Sequence, residues 1–424
     1  MGRGWKVVLV AGLGAAVLVA SPAIGGGSGS GGRWVDTWTA MPQPTEPGNM
    51  PPPPFTTDHL VLDDSTLRQT VRLSVGGQRA RLRFSNAFGG APLPITRVSV
   101  AFPAGGVAGV SAIQAGTARP VTFQGRPGTV VPIGAQAVSD PLELPLASGS
   151  VLTVTVYLAE GQASSAITSH PGSRTTSYLV TGNQAEAEDL PGATPVDHWY
   201  FLSAIEVWSK PATAALVLLG DSLTDGRGST TNLNNRWPDR LFDRLRADRR
   251  TAGVAIANQA AGGNRVLNDG LGPNALARLD RDVLARSGAQ WLVVFEGVND
   301  LGTAEATQGA QKRIADELIA AYDQIIVRAH AKDLTVYGAT ITPFGGHSYD
   351  DPQGHREGAR QAVNEWIRTS GRFDAVIDFD RAVRDPAEPR RLQAAYDVGD
   401  GLHLSPAGYK ALADAVPARL FHRS

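Results

Sequence analysis

The stretch AALVLLGDSLTDGRGS, residues 214–229, sets six apolar residues directly before a small polar turn bounded by glycines. An unbroken apolar run of that length reads as a strand buried on both faces, the mark of a parallel sheet. A serine just past the carboxyl end of such a strand is either a helix N-cap or a residue set where parallel sheets carry their sites. The rhythm recurs downstream. Residues 253–257 lead into Asn258-Gln-Ala-Ala-Gly-Gly-Asn264, and residues 290–295 into Glu296-Gly-Val-Asn-Asp300. Further runs follow at 334–341 and 375–379, with helical periodicity at 237–249, 311–332, 358–369 and from Ala407 onward. Buried runs alternating with helices predict βαβ units and a flavodoxin-like, doubly wound parallel sheet over residues 213–424.

The first half has a different pattern. Residues 67–75 and 80–84 alternate with a period near two, and residues 95–102, 142–144, 151–158, 176–180 and 200–208 are further short candidates. Short runs punctuated by Gly, Pro, Asn and Ser predict an all-β, jelly-roll-like sandwich over residues 34–208. At the N-terminus, Arg3 and Lys6 precede an apolar stretch at 7–20 and the small residues Ser21 and Ala23. That pattern predicts a secretory signal over residues 1–23, cut after Ala23, and a Gly/Ser linker at 24–33. The expected location is outside the cell, without stable membrane association once the signal is removed. The alternative is an uncleaved anchor, against which the run falls short of the roughly 20 residues a span needs.

Composition narrows the function. A formal net charge of −1 across 424 residues gives no electrostatic footprint for nucleic acid. Zero cysteines exclude disulfides, a thiolate nucleophile and a lipidated cysteine. A serine nucleophile needs a base, and the base needs orienting. Of eight histidines, His59, His170 and His198 fall in the β half, His330 near a helix end and His422 beside the terminus. His347 and His355 lie in a Gly-rich loop, and His403 follows Asp400 by three residues, so one loop can present both. Acyl transfer also needs donors for a developing oxyanion. The N–H of Ser222, a bare backbone at Gly262-Gly263 and the Asn299 amide all stand after predicted strands. Asp221 and Asp300 read as turn braces, and Arg227, Arg236, His347, Tyr349 and His355 as either pocket or plain surface.

The blocks Gly220-Asp-Ser-Leu223, 258–263, Gly297-Val-Asn-Asp300 and Asp400-Gly-Leu-His403 resemble, in order, the four signature blocks of the SGNH (GDSL) hydrolases. Trp34-Val-Asp-Thr-Trp38, Arg83-Phe-Ser-Asn86 and Asp225-Gly-Arg-Gly-Ser229 resemble the XynE-like branch, in which a β domain precedes the hydrolase. The resemblance implies a secreted serine esterase without metal or organic cofactor. Ser222 would be the nucleophile, His403 the base, Asp400 its orienting acid, and Ser222, Gly263 and Asn299 the oxyanion donors. Gly262 is the alternative to Gly263. The implied substrate is a small-molecule or polysaccharide ester, with short acyl groups on carbohydrate foremost. A lipase or arylesterase, and a glycan-binding protein with a vestigial hydrolase, are the alternatives. Trp34, Trp38 and Trp199 are either glycan contacts or packing.

Overall fold

The computed structural model describes residues 1–2 and 31–422, so the expected signal and nearly all of the linker lie outside the described residues. From Gly32 onward the chain is one compact unit. Its first half is antiparallel. Strand β1 (Arg33–Thr39), β2 (Leu60–Arg72), β3 (Gly77–Ser85), β4 (Arg97–Ala101), β5 (Val151–Gln162), β6 (Thr168–His170) and β7 (Leu202–Ser209) form its framework. β7 lies between β1 and β3 in a five-stranded sheet, while β5 lies between β2 and β4 in a seven-stranded one. Apolar side chains from both sheets, such as Leu82, Phe84, Val154 and Val156, belong to one continuous core.

The second half is a parallel sheet with helices. β8 (Ala214–Gly220) leads into the one-turn α1 (Ser222–Asp225) and α2 (Trp237–Ala247), then β9 (Val254–Ala260) and β10 (Ala289–Phe295). After these come α3 (Val298–Thr303), α4 (Gln308–His330), β11 (Thr335–Ala339), α5 (His355–Thr369), β12 (Ala375–Ile377) and α6 (Pro406–Ala415). Strand order is β9-β8-β10-β11-β12, all parallel. The order reverses at β8, which places the crevice for a ligand beyond its carboxyl end. All seven residues of β8 are buried, as an interior parallel strand requires. Truncating one of its leucines, Leu218 for example, would cost about 2–5 kcal/mol.

The two halves share polar seams as well as core. β9 is an edge strand whose outer groups would otherwise be unpaired. The Ser74 hydroxyl accepts from Ile256 N at 3.0 Å, and the Thr39 hydroxyl donates to Asn258 O at 2.8 Å. Buried Asp36 accepts from Ser287 N at 2.9 Å and its own N–H donates to Ser287 O. Burial pushes its carboxyl up to about 6, against the pull of Arg286. The first half is thereby built onto the edge of the parallel sheet. Among the described residues no helix is long and apolar enough to cross a membrane.

Candidate active site

The turn after β8 is held by its own backbone. Asp221 caps α1: its side chain accepts from Leu223 N at 2.9 Å, and its carbonyl accepts from Thr224 and Asp225. At the other end Gly226 is left-handed, φ 96°, and a Cβ there would collide with the Arg236 side chain. Ser222 is fixed between these stops, buried to 5% exposure.

The loop before α6 brings a histidine to it. The Ser222 hydroxyl lies 3.0 Å from His403 Nε2, and His403 Nδ1 lies 2.7 Å from Asp400 Oδ2. Asp400 Oδ1 accepts from the Leu402 and His403 N–H groups at 3.0 and 2.8 Å. With Nδ1–H donating to the carboxylate, Nε2 is left as the acceptor for the serine proton. Burial pushes the Asp400 carboxyl up, but the ring and the two backbone N–H groups outweigh it and hold it down at about 2. Burial also lowers His403 below its ordinary 6.5, against the pull of Asp400, with Arg227 and His347 adding to the lowering. A base must be neutral to accept a proton. The kcat/KM profile of an ester, read from initial rates, should therefore fall on acidification with a midpoint below pH 6.5. A midpoint above 7 would contradict the burial argument.

The candidate oxyanion donors come from two other strand ends. After β9, Gly263 has φ 69°, and a Cβ on it would press on Leu271; Gly262 has no such φ. Both face the cleft. From α3, Asn299 donates through Nδ2 to Asn264 O at 2.8 Å. The 258–264 loop is fixed from below by Arg278, fully buried, which donates to Asn264 Oδ1 and Gln259 O. Asp300 accepts from Val266 and Leu267 N–H, so it braces this loop, as Asp221 braces the other. Burial pushes the carboxyls of Asp221, Glu296 and Asp300 upward.

The cleft above Ser222 is about 600 Å³, and its second wall comes from the antiparallel half. Gln43, Glu46, Asn49, Gly172, Arg174, Asp197 and His198 face Ser222, Asn299, Tyr349 and His403 across it. His170, at the end of β6, lies 2.9 Å from Asp225 Oδ1 through Nε2 and 3.1 Å from Met41 O through Nδ1. A Cβ on Gly172 would collide with Asp225 Oδ2, which shows how closely the halves meet here. His170 and His198 lie in the antiparallel half, as expected, and the fold brings both up to residues of the parallel half. Their approach depends on pairing between segments far apart in the chain, and no local pattern announces it.

Other expectations sort similarly. Arg227, His347 and Tyr349 line the cleft. Arg236 instead caps α2 through Asp239, and His355 opens α5 with its N–H on Asp351. Trp38 and Trp199 are buried edge to face at 4.9 Å, so they pack and are not free for glycan. Trp34 meets Trp208 at 5.5 Å, with Arg81 over its ring.

Residues 218–411 match the family of GDSL-like lipases and acylhydrolases. No curated protein matches the sequence. Among solved structures, the chain is similar to a catalytic mutant of Axe2, an acetylxylan esterase from Geobacillus stearothermophilus. Identity is 20% and the TM-score 0.37, over 50% of this chain and 97% of that one. The acetyl xylan esterase AlAXEase is similar at 18% identity and TM-score 0.35, over 47% of this chain and 96% of the other.

Proposed function

From a C-terminal half that is a GDSL/SGNH acylhydrolase domain, we propose that the chain is a serine esterase that removes short acyl groups from the hydroxyls of a carbohydrate. The observation that supports this reading is the makeup of the cleft. Among the described residues Leu271 and Leu402 are its only large aliphatic side chains, while the wall from the antiparallel half offers amide, carboxylate, imidazole and guanidinium groups. A long acyl chain would find few aliphatic side chains to lie against there. A polyol would find donors and acceptors at several angles.

The chemistry is two acyl transfers. The Ser222 oxygen bonds to the ester carbonyl carbon as its proton passes to His403 Nε2, and Asp400 stabilises the imidazolium. The carbonyl oxygen, now negative, is met by the N–H groups of Ser222 and Gly263 and by the Asn299 amide. Collapse breaks the bond to the alcohol oxygen, which leaves with the proton from His403. Water, giving its proton to His403, then attacks the acyl-serine, and the acid departs as Ser222 regains its proton. The apolar N-terminal segment supports export, so the substrate would be met outside the cell.

Aryl esters of increasing acyl length, together with acetylated xylooligosaccharides, test the reading. The expected result is a kcat/KM highest for acetyl and falling with chain length, with the acetylated saccharide a better substrate than the aryl acetate. Rates that rise toward octanoyl, with saccharide esters untouched, would establish a lipid or aryl esterase instead. No turnover of any ester would point to a vestigial hydrolase. Arg174 faces the cleft with 29% of its side chain exposed and its guanidinium 3.6 Å from Asp225. Arg174→Ala should raise KM for the saccharide ester by about three- to tenfold, the worth of one hydrogen bond. Turnover of the aryl acetate should stay within about twofold of wild type.

A further inference from the structure

An amide that donates to an oxyanion is useful only the right way round, because its oxygen in that place would repel the negative charge. Asn299 is held at both ends. Nδ2 donates to Asn264 O at 2.8 Å, which takes one of its two hydrogens, and the residue lines the cleft, where the second is the one an oxyanion would use. The other end, Oδ1, lies 3.0 Å from the hydroxyl of Tyr349, fifty residues away in the loop after β11. Burial pushes the Tyr349 hydroxyl upward, so it keeps its proton and donates.

Tyr349 is itself fixed. Its ring lies against α3 so closely that a Cβ on Gly302 would collide with it. Its N–H donates to His347 Nδ1 at 3.1 Å, and the two rings meet edge to face at 4.7 Å. His347 packs edge to face with His403 at 6.4 Å, and a Cβ on Gly401 of the Asp400 loop would press on the His347 backbone. One short loop therefore touches the amide on one side and the base on the other.

We propose that Tyr349 is a positioning residue, whose hydroxyl orients the Asn299 amide so that its free N–H meets the oxyanion. This rests on the esterase reading above. Removing a whole oxyanion donor costs on the order of 10²–10³ in kcat. Losing only the group that orients it should cost less. Tyr349→Phe, which removes the hydroxyl and keeps the ring, should lower kcat for an aryl acetate on the order of tenfold and leave KM within about twofold.

A double-mutant cycle separates orientation from general damage. In an Asn299→Ala background there is no amide left to orient, so adding Tyr349→Phe should change kcat by less than about twofold. Gly302→Ala approaches the same contact from the packing side. It pushes the ring while keeping the hydroxyl, and should lower kcat without raising KM. A Tyr349→Phe enzyme with wild-type kcat would overturn the proposal, as would losses from Tyr349→Phe and Asn299→Ala that simply multiply. A wild-type chain inert toward every ester would instead overturn the esterase reading on which the proposal stands.

Discussion

Ser222→Ala should reduce ester turnover by about 10⁵–10⁶, the loss seen when a triad nucleophile is removed. Another hydroxyl close in sequence offers no replacement. Thr224 is fully buried and accepts from Trp237 Nε1 at 3.2 Å, so its oxygen is committed to packing α2 onto the turn. The substitution deletes one atom at a site with 5% exposure and removes the hydrogen bond to His403. Its effect on stability should stay near 1 kcal/mol, far too small for unfolding to explain the lost rate. His403→Ala should cost nearly as much, and the double variant no more than either alone, because the two act as a unit. Intact-mass measurement gives an independent check. A fluorophosphonate should add one equivalent to the wild-type chain and none to Ser222→Ala. A Ser222→Ala enzyme within tenfold of wild-type turnover would remove Ser222 from the chemistry.

The parallel half was readable because its central strands are buried on both faces and so appear as unbroken apolar runs. β8 and β10 are found within a residue of where the runs end. β9 is longer than expected. It continues through Asn258 and Gln259, polar residues that read as a turn, because pairing with β8 extends to Gly220–Ala260. In the antiparallel half, the candidates at 67–75 and 151–158 lie on or overlap β2 and β5. β1 was harder to see, since Asp36 in its middle looks like a surface residue. Its carboxylate is buried where Ser287, 251 residues later, supplies an N–H and Arg286 lies 3.9 Å away. Arg278 is buried in the same way. Its guanidinium donates to Asn264 and Gln259, on the segment that leads to Gly263. The four motif blocks are local, so their residues could be named from the chain. The wall facing them is assembled from residues 43–49, 171–174 and 197–198, whose meeting is a property of the two-half assembly. A window along the sequence carries no trace of it.

Asp400→Asn should reduce kcat by about 10³–10⁴ with the fold intact, for a reason specific to this loop. Oδ1 accepts two backbone N–H groups, from Leu402 and His403. An asparagine here must keep its oxygen at that position, since turning its NH₂ toward two donors would lose both bonds. The NH₂ then falls where Oδ2 now accepts from His403 Nδ1. It can donate only to an unprotonated Nδ1, so the imidazole proton moves to Nε2. That nitrogen then donates toward Ser222 and cannot take its proton. Asp400→Ala lacks this trap. The ring is free to choose its tautomer, so kcat should fall less, but the two loop N–H groups lose their acceptor and stability should drop by about 1–3 kcal/mol. The pair of variants thus dissociates rate from stability in opposite directions. The Asp400 side chain keeps 37% exposure, so water can partly substitute, which places the Asn loss toward the lower end of its range. Rates and thermal midpoints measured together decide the matter: Asp400→Asn within tenfold of wild type, or Asp400→Ala slower than Asp400→Asn, would show that the carboxylate does not set the tautomer.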